Sequence, residues 1–199
     1  GNRPTGNRLT DDVDLPTYRA ASALLLFVSE LPLLFMGQEW AASTPFRYFT
    51  DHEPELGRKV TEGRTEEFAH WTSFEGEVPD PQDPETFASS RLDWAEREEA
   101  PHAGILRMYR DLLSLREELS GPSEAEPIGP ASLLVRRDEH LLLAHLGAAT
   151  EIALPEDTDR LLWHSLDSDY APREESVTLE DGTASFPAAG ALIFTRTSA

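Results

Sequence analysis

Cysteine is absent from this 199-residue chain, which excludes disulfides and thiolate metal or redox chemistry. Positive charge is scarce: 17 Lys and Arg stand against 37 Asp and Glu, a formal net charge of −20. A field of that sign repels phosphate backbones and anionic lipid, so neither nucleic acid nor a membrane is expected as a partner. Long apolar runs are missing too. The longest, Leu24 to Met36, is broken by Ser29, Glu30 and Pro32 and cannot read as a bilayer span. No signal-peptide apolar region opens the chain, and a reducing, cytoplasmic setting is expected. No Gly-rich phosphate loop follows a strand, and no Gly-x-Ser-x-Gly elbow is present. The chain starts Gly-Asn-Arg without an initiator Met and reads as the middle of something longer. It is also too short for a complete eight-stranded α/β barrel, which takes about 250 residues.

What is present divides into three stretches. Tyr18 to Val28 is apolar nearly all round, the pattern of a buried helix, with Asp14 and Pro16 as its start and Pro32 as a bar to continuation. Leu33-Leu34-Phe35-Met36 follows without alternation, as expected of a strand covered on both faces, and Gly37 ends it. Residues 37–100 form a long excursion interrupted by Pro54, Pro79, Pro81 and Pro84. Helices are expected over Glu62 to Trp71 and over Pro84 to Ser89, the second capped by Asp83. Residues 51–100 carry 15 acidic and 5 basic side chains, half the net charge of the chain. Pro101 to Leu119 turns helical again, with Ile105, Leu106, Tyr109, Leu112 and Leu113 as its apolar stripe. Ser120 to Pro130 reads as a linker and a domain boundary. Beyond it, Ser132–Arg136, His140–His145, Glu151–Leu154, Leu161–Ser165, Ser176–Leu179 and Ala191–Arg196 read as short strands of an antiparallel sandwich or small barrel.

Two segments carry residues suited to chemistry. Gln38, Glu39 and Trp40 leave the expected strand, where α/β barrels place ligand contacts. Their functional reading is two polar contacts and a stacking ring; the alternative is a capping Glu39 and a core Trp40. Thr44 to His52 then sets three aromatics beside Asp51 and His52. Flat rings cover the apolar faces of pyranoses, and carboxylate, amide and imidazole groups bond the hydroxyls. The alternative is a segment packing Phe46 and Tyr48 on one face. Asp51, His52 and Glu53 with Glu66, Glu67 and His70 match neither a zinc helix nor a calcium loop, so no metal and no cofactor is assigned. No pair of carboxylates is singled out by context as a hydrolase centre.

Several motifs carry a resemblance. Gly1-Asn2-Arg3 resembles the continuation of the Asn-His-Asp-Gln-x-Gly-Asn-Arg segment of the α-amylase superfamily. Leu31-Pro32-Leu33-Leu34-Phe35-Met36-Gly37-Gln38-Glu39-Trp40 resembles its Pro-x-x-x-x-Gly-x-Glu run after barrel strand eight. Thr44 to His52, Arg64 to Phe68, Val78 to Phe87 and Leu92-Asp93-Trp94 are similar to one branch, the malto-oligosyltrehalose trehalohydrolase family. Bacterial glycogen branching enzymes share the Gly-x-Glu run, typically with a different Phe-x-Gln continuation.

The resemblance implies an α/β plus all-β architecture. Residues 1–121 would be the last part of a (β/α)8 TIM barrel, with its excursion at 37–100, and residues 122–199 a C-terminal antiparallel β-sandwich. It implies a glycoside hydrolase cleaving the α-1,4 bond next to the terminal trehalose of malto-oligosyltrehalose, through an oxocarbenium-like transition state. The family's nucleophilic Asp, acid/base Glu and stabilising Asp would all precede Gly1, so no catalytic residue is assigned in this chain. Substrate-wall candidates are Asn2, Arg3, Gln38, Glu39, Trp40, Phe46, Tyr48, Asp51 and His52. The expected partners are a malto-oligosaccharide or trehalose ligand and the N-terminal remainder of the enzyme. Two alternatives stay open. One is another α-amylase-family enzyme, such as a branching enzyme or glucanotransferase. The other is a carbohydrate-binding module at 123–199 with Trp163 and Tyr170 as a platform.

Overall fold

The computed structural model describes residues 3–69, 77–171 and 176–197. The chain divides into two units, Gly1–Asp12 with Ala42–Trp94, and Val13–Ala41 with Ala95–Ala199. No helix among the described residues is long and apolar enough to cross a membrane.

In the larger unit, helix α1 (Leu15–Phe27) begins where expected: Asp14 accepts a hydrogen bond from the Thr17 amide at 2.9 Å, and Pro16 lies in the first turn. Helix α4 (His102–Glu118) starts one residue after Pro101. Its buried stripe is Ile105, Met108, Tyr109 and Leu112. Leu113, expected inside, is exposed, because Met108 lies one turn before Leu112 on the covered face while Leu113 is rotated past it.

Among the described residues, the same unit holds eight strands, all paired antiparallel. A five-stranded sheet runs β1 (Ser123–Gly129), β2 (Ser132–Arg137), β3 (His140–His145), β8 (Gly190–Arg196), β5 (Thr158–His164). A three-stranded sheet runs β4 (Thr150–Ala153), β7 (Thr183–Phe186), β6 (Thr178–Glu180). Leu134, Leu141, Leu143, Leu192 and Phe194 face Ala184 and Phe186 of the smaller sheet. The alternate residues Val135, Leu142, Ala144, Ala191 and Ile193 pack with Ala20, Ala23 and Phe27 of α1 and with Ile105, Met108 and Tyr109 of α4. The central strands are therefore covered on both faces, and that is why β3 and β8 read as continuous apolar runs. Trp163 is 8 % exposed and its ring lies 5.9 Å from that of Tyr170, within this core and not on a surface platform.

Several expectations need correction. Leu33–Met36 is not a strand. Leu31 and Leu33 are 93 % and 92 % exposed, and Phe35 and Met36 about half exposed. A strand exists only through its ladder, and no described segment pairs with these residues. The linker at 120–130 contains β1. It is an edge strand, which explains its disguise: edge positions tolerate Pro127 and the charges of Glu124 and Glu126. Strand β7 was also missed. It follows Asp181-Gly182, both left-handed at φ 47° and 72°, the signature of a tight hairpin turn from β6.

In the smaller unit, helix α2 (Pro54–Ala69) starts two turns before its expected onset at Glu62, because Pro54 opens a helix as well as it breaks one. Exposed pairs Lys59–Glu55 and Arg58–Glu62 add support one turn apart. The expected end at Trp71 lies outside the described residues. Helix α3 (Pro84–Ala88) is capped by Asp83, whose carboxylate accepts from the Glu85 amide at 2.9 Å.

Candidate functional site

Gln38, Glu39 and Trp40 form a short 3-10 turn between two left-handed residues, Gly37 at φ 82° and Ala41 at φ 55°. The Gln38 amide is engaged at both ends. Its Oε1 accepts from the Phe35 amide at 3.2 Å, and its Nε2 donates to the Tyr109 hydroxyl at 3.1 Å, which in turn donates to Ser22 at 2.9 Å. The Tyr18 hydroxyl donates to the Gln38 carbonyl. Trp40 is 1 % exposed, with the Arg97 guanidinium 6.0 Å from its ring centroid. Its carbonyl accepts from His102 Nδ1 at 2.9 Å, which fixes the proton on that nitrogen. Glu39 is half-buried. The turn is thus tied to α1 and α4, and the Trp40 ring offers no free stacking face within this unit.

The other candidates lie in the smaller unit; Asn2 lies outside the described residues. Arg3 pairs with Asp12, and its Nη1 donates to the Arg8 carbonyl at 3.3 Å. Arg8 Nε donates to the Thr44 carbonyl at 2.7 Å, and the Phe46 amide donates to the Gly6 carbonyl at 2.8 Å. Residues 3–12 are in this way laced to the extended stretch at 44–49. Gly6 permits the lacing: its φ is 71°, and a Cβ there would stand 2.3 Å from the Phe46 carbonyl oxygen.

Phe46, Phe49 and Phe87 make a ladder of tilted rings with centroids 5.8 and 5.0 Å apart. Arg47 is turned away from them. Its amide donates to Ser90 Oγ at 3.1 Å and its guanidinium to Ser89 Oγ at 2.7 Å. Tyr48 is 39 % exposed and carries the Arg64 guanidinium 5.0 Å from its ring centroid. Asp51 and His52 have exposed side chains. Their backbone is held from below: Gln82 Oε1 accepts from the His52 amide at 3.0 Å, Gln82 Nε2 donates to Thr50 Oγ1, and Thr50 donates its amide to the Pro81 carbonyl at 2.8 Å. Gly57 of α2 leaves the room Gln82 needs, since a Cβ there would meet Gln82 Oε1 at 2.7 Å.

The structure therefore brings Arg3 and Tyr48 together through Arg64, and holds the backbone on either side of Asp51, at Thr50 and His52, to Gln82. Sequence reasoning nominated neither Arg64 nor Gln82. The signal for Arg64 was available, because Arg64 and Phe68 stand one helical turn apart and so share a face. Gln82 acts through a contact thirty residues away and left no local trace.

No protein-family model matches the chain. Over 121 residues, 59 % of its length, it is 60 % identical with the malto-oligosyltrehalose trehalohydrolase of Deinococcus radiodurans, covering 20 % of that enzyme. It is 49 % identical over 129 residues with the trehalohydrolase of Arthrobacter ramosus, covering 64 % of this chain and 22 % of the enzyme. With that of Saccharolobus solfataricus the identity is 37 % over 119 residues, 59 % of this chain and 19 % of the enzyme. The chain spans about a fifth of the length of the curated relatives it matches. Among solved structures, a Salmonella typhimurium protein named as an alpha amylase superposes on 99 % of the chain and 33 % of its own, with TM-score 0.78 and 29 % identity. The α-amylase of H. orenii shares the fold over 96 % of the chain and 38 % of its own, with TM-score 0.55 and 18 % identity. The resemblance expected from the motifs holds.

Proposed function

We propose that this chain is the C-terminal portion of a malto-oligosyltrehalose trehalohydrolase, a glycosidase releasing trehalose by cleaving the adjacent α-1,4 bond. The observation that carries the reading is the 60 % identity over 121 residues with an enzyme of that name. In this reading residues 1–121 complete a (β/α)8 barrel, residues 122–199 are its β-domain, and the enzyme works in the cytoplasm. The nearly bare side chains of Leu31 and Leu33 support it. An apolar run left in water is the expected state of a buried strand without its neighbours. The carboxylates that cleave the bond belong to the preceding part of the enzyme, and the chemistry is two-carboxylate glycoside hydrolysis.

This chain then supplies part of the substrate wall. Tyr48 offers a ring face to a pyranose, and Asp51 and His52 offer acceptors and a donor to its hydroxyls. The substrate is neutral and needs no positive field. The net charge of −10 over residues 51–100 agrees with that and disfavours a phosphorylated sugar.

A second reading, another α-amylase-family activity, is favoured by the likeness to the Salmonella typhimurium protein. One experiment separates the two. The longer protein carrying this segment is incubated with malto-oligosyltrehalose and, separately, with maltodextrin. Free trehalose from the first supports the trehalohydrolase. Hydrolysis or branching of maltodextrin without trehalose release overturns it in favour of the second reading.

A further inference from the structure

Among the described residues, few side chains of helix α2 are buried. Gly57, Arg64 and Phe68 are its buried residues, and the one ion among them is Arg64, 9 % exposed. Burying a guanidinium is costly unless its donors and faces are all used. Here they are engaged on several sides. Arg64 Nη1 donates to Glu67 at 3.1 Å and Nη2 to the carbonyl of Arg3 at 3.2 Å. Its Cζ lies over two rings, 4.4 Å from the centroid of Phe68 and 5.0 Å from that of Tyr48. Phe68 is itself buried, so it anchors the cation. Tyr48 remains 39 % exposed, so the cation backs a ring that still reaches solvent. Arg64 thereby links α2, the backbone at Arg3 and an aromatic ring into one contact.

We propose that Arg64 is a positioning residue for sugar binding: it backs Tyr48 and holds the ring as a fixed stacking face for a neutral pyranose. The inference rests on the reading of Tyr48 as part of the substrate wall. A ring free to change rotamer loses entropy when a sugar stacks on it; a ring pinned from behind has already lost it. Arg64 touches no substrate in this scheme and acts through Tyr48. Lysine is a poor substitute, because a compact ammonium cannot reach both the Arg3 carbonyl and Glu67 from two separate nitrogens while also standing over the rings.

The test is a cycle of Tyr48→Ala, Arg64→Met and their double variant in the longer protein, with Arg64→Lys as the conservative variant. Maltotetraose affinity is measured by calorimetry and KM and kcat on malto-oligosyltrehalose by trehalose release. Arg64→Met is expected to weaken maltotetraose binding and raise KM by about fivefold, with kcat changed by less than about twofold. In the Tyr48→Ala background the same change should have no further effect on affinity, since the ring it positions is gone. Arg64→Lys should fall between wild type and Arg64→Met. The proposal is overturned if Arg64→Met weakens binding equally with and without the Tyr48 ring. It is also overturned if the variant lowers thermal stability while affinity and KM stay at wild-type values. A wild-type protein that binds maltotetraose but releases no trehalose sinks the trehalohydrolase reading and leaves the affinity cycle to decide the role of Arg64. A wild type that does not bind maltotetraose sinks both.

Discussion

Arg137, the last residue of β2 in the five-stranded sheet, donates to the carbonyl of Phe27 at the end of helix α1, 110 residues earlier, at 2.9 Å. It also reaches the carbonyls of Gly121 at 3.2 Å and Leu119 at 3.4 Å, just beyond α4. Arg116 of α4 donates to Leu26 and Val28 at 2.6 Å and to Glu30 at 2.8 Å. A helix leaves its last four carbonyls without intrahelical donors and carries partial negative charge there. Two arginines from two other elements fill that role for α1, which has no basic residue in its last turn. Burial, and then the charge of Arg116, pull the pKa of Arg137 below its ordinary value, against a smaller opposing pull from the charge of Glu30.

Removing Arg137 leaves several buried carbonyls unpaired. Arg137→Ala should destabilise the chain by about 3 kcal/mol, and Arg137→Lys, which keeps charge but not the fork, by about 1–2 kcal/mol. Urea unfolding of both variants measures this. A loss under about 0.5 kcal/mol for Arg137→Ala would show that water replaces the side chain.

Gly6 stands against the Phe46 backbone with a left-handed φ of 71°. Gly6→Ala combines strain at that φ with a clash on a carbonyl that cannot move without breaking the 2.8 Å bond from the Phe46 amide. A destabilisation of about 1–3 kcal/mol is expected, read as a lowered thermal midpoint. Gly63, where an added Cβ meets nothing within 4 Å, is the control, and Gly63→Ala in the same measurement should be neutral or stabilising because it lies inside α2.

Asp157 accepts from Arg196 at 2.8 Å and from Arg136 at 3.5 Å. Burial pushes its carboxyl up, but the Arg196 hydrogen bond and the charges of both arginines outweigh it, so the net pKa lies below the usual carboxylate range. The folded state therefore binds this proton less readily than the unfolded chain does. The stabilisation is fully present above the unfolded value of about 4 and is lost as pH falls through the lower folded value. Asp157→Asn should be less stable than wild type at pH 7, and the gap should close progressively below about pH 4. Urea unfolding from pH 7 to pH 3 follows it, and a gap independent of pH would assign the effect to packing.

Leu31 and Leu33 test the proposed barrel. In the 199-residue chain they are bare, so Leu31→Ser with Leu33→Ser should shift stability by less than about 0.5 kcal/mol. In the longer protein, if the run is a buried strand, the same pair should cost more than about 2 kcal/mol. Equal small effects in both would remove Leu33–Met36 from any core.

Much was legible locally. The Asp14 cap, the Asp83 cap, the stripe of α4 and the Asp181-Gly182 turn depend on neighbours within a turn or two, and the sequence shows them. So does the aromatic segment at 44–49. Edge strand β1 hid behind Pro127 and two glutamates, because an edge meets different demands from a centre. Gln82 hid because its partner His52 lies thirty residues away; the spacing of Arg64 to Phe68 was visible, but its links to Arg3 and Tyr48 were not.

The sequence by itself determined the starts of α1, α3 and α4, the Asp181-Gly182 hairpin turn, the excess of negative charge and the trehalohydrolase resemblance, since each is written in adjacent or periodic residues; it put the start of α2 two turns too late. Tertiary structure alone decided which apolar run is core. Leu141–Ala144 and Ala191–Phe194 are covered on both faces by helices and a second sheet, whereas the equally apolar Leu33–Met36 stands largely in water. The three runs have the same local chemistry. What separates them is whether another strand lies about 5 Å away to complete the ladder, and that depends on residues distant in the chain.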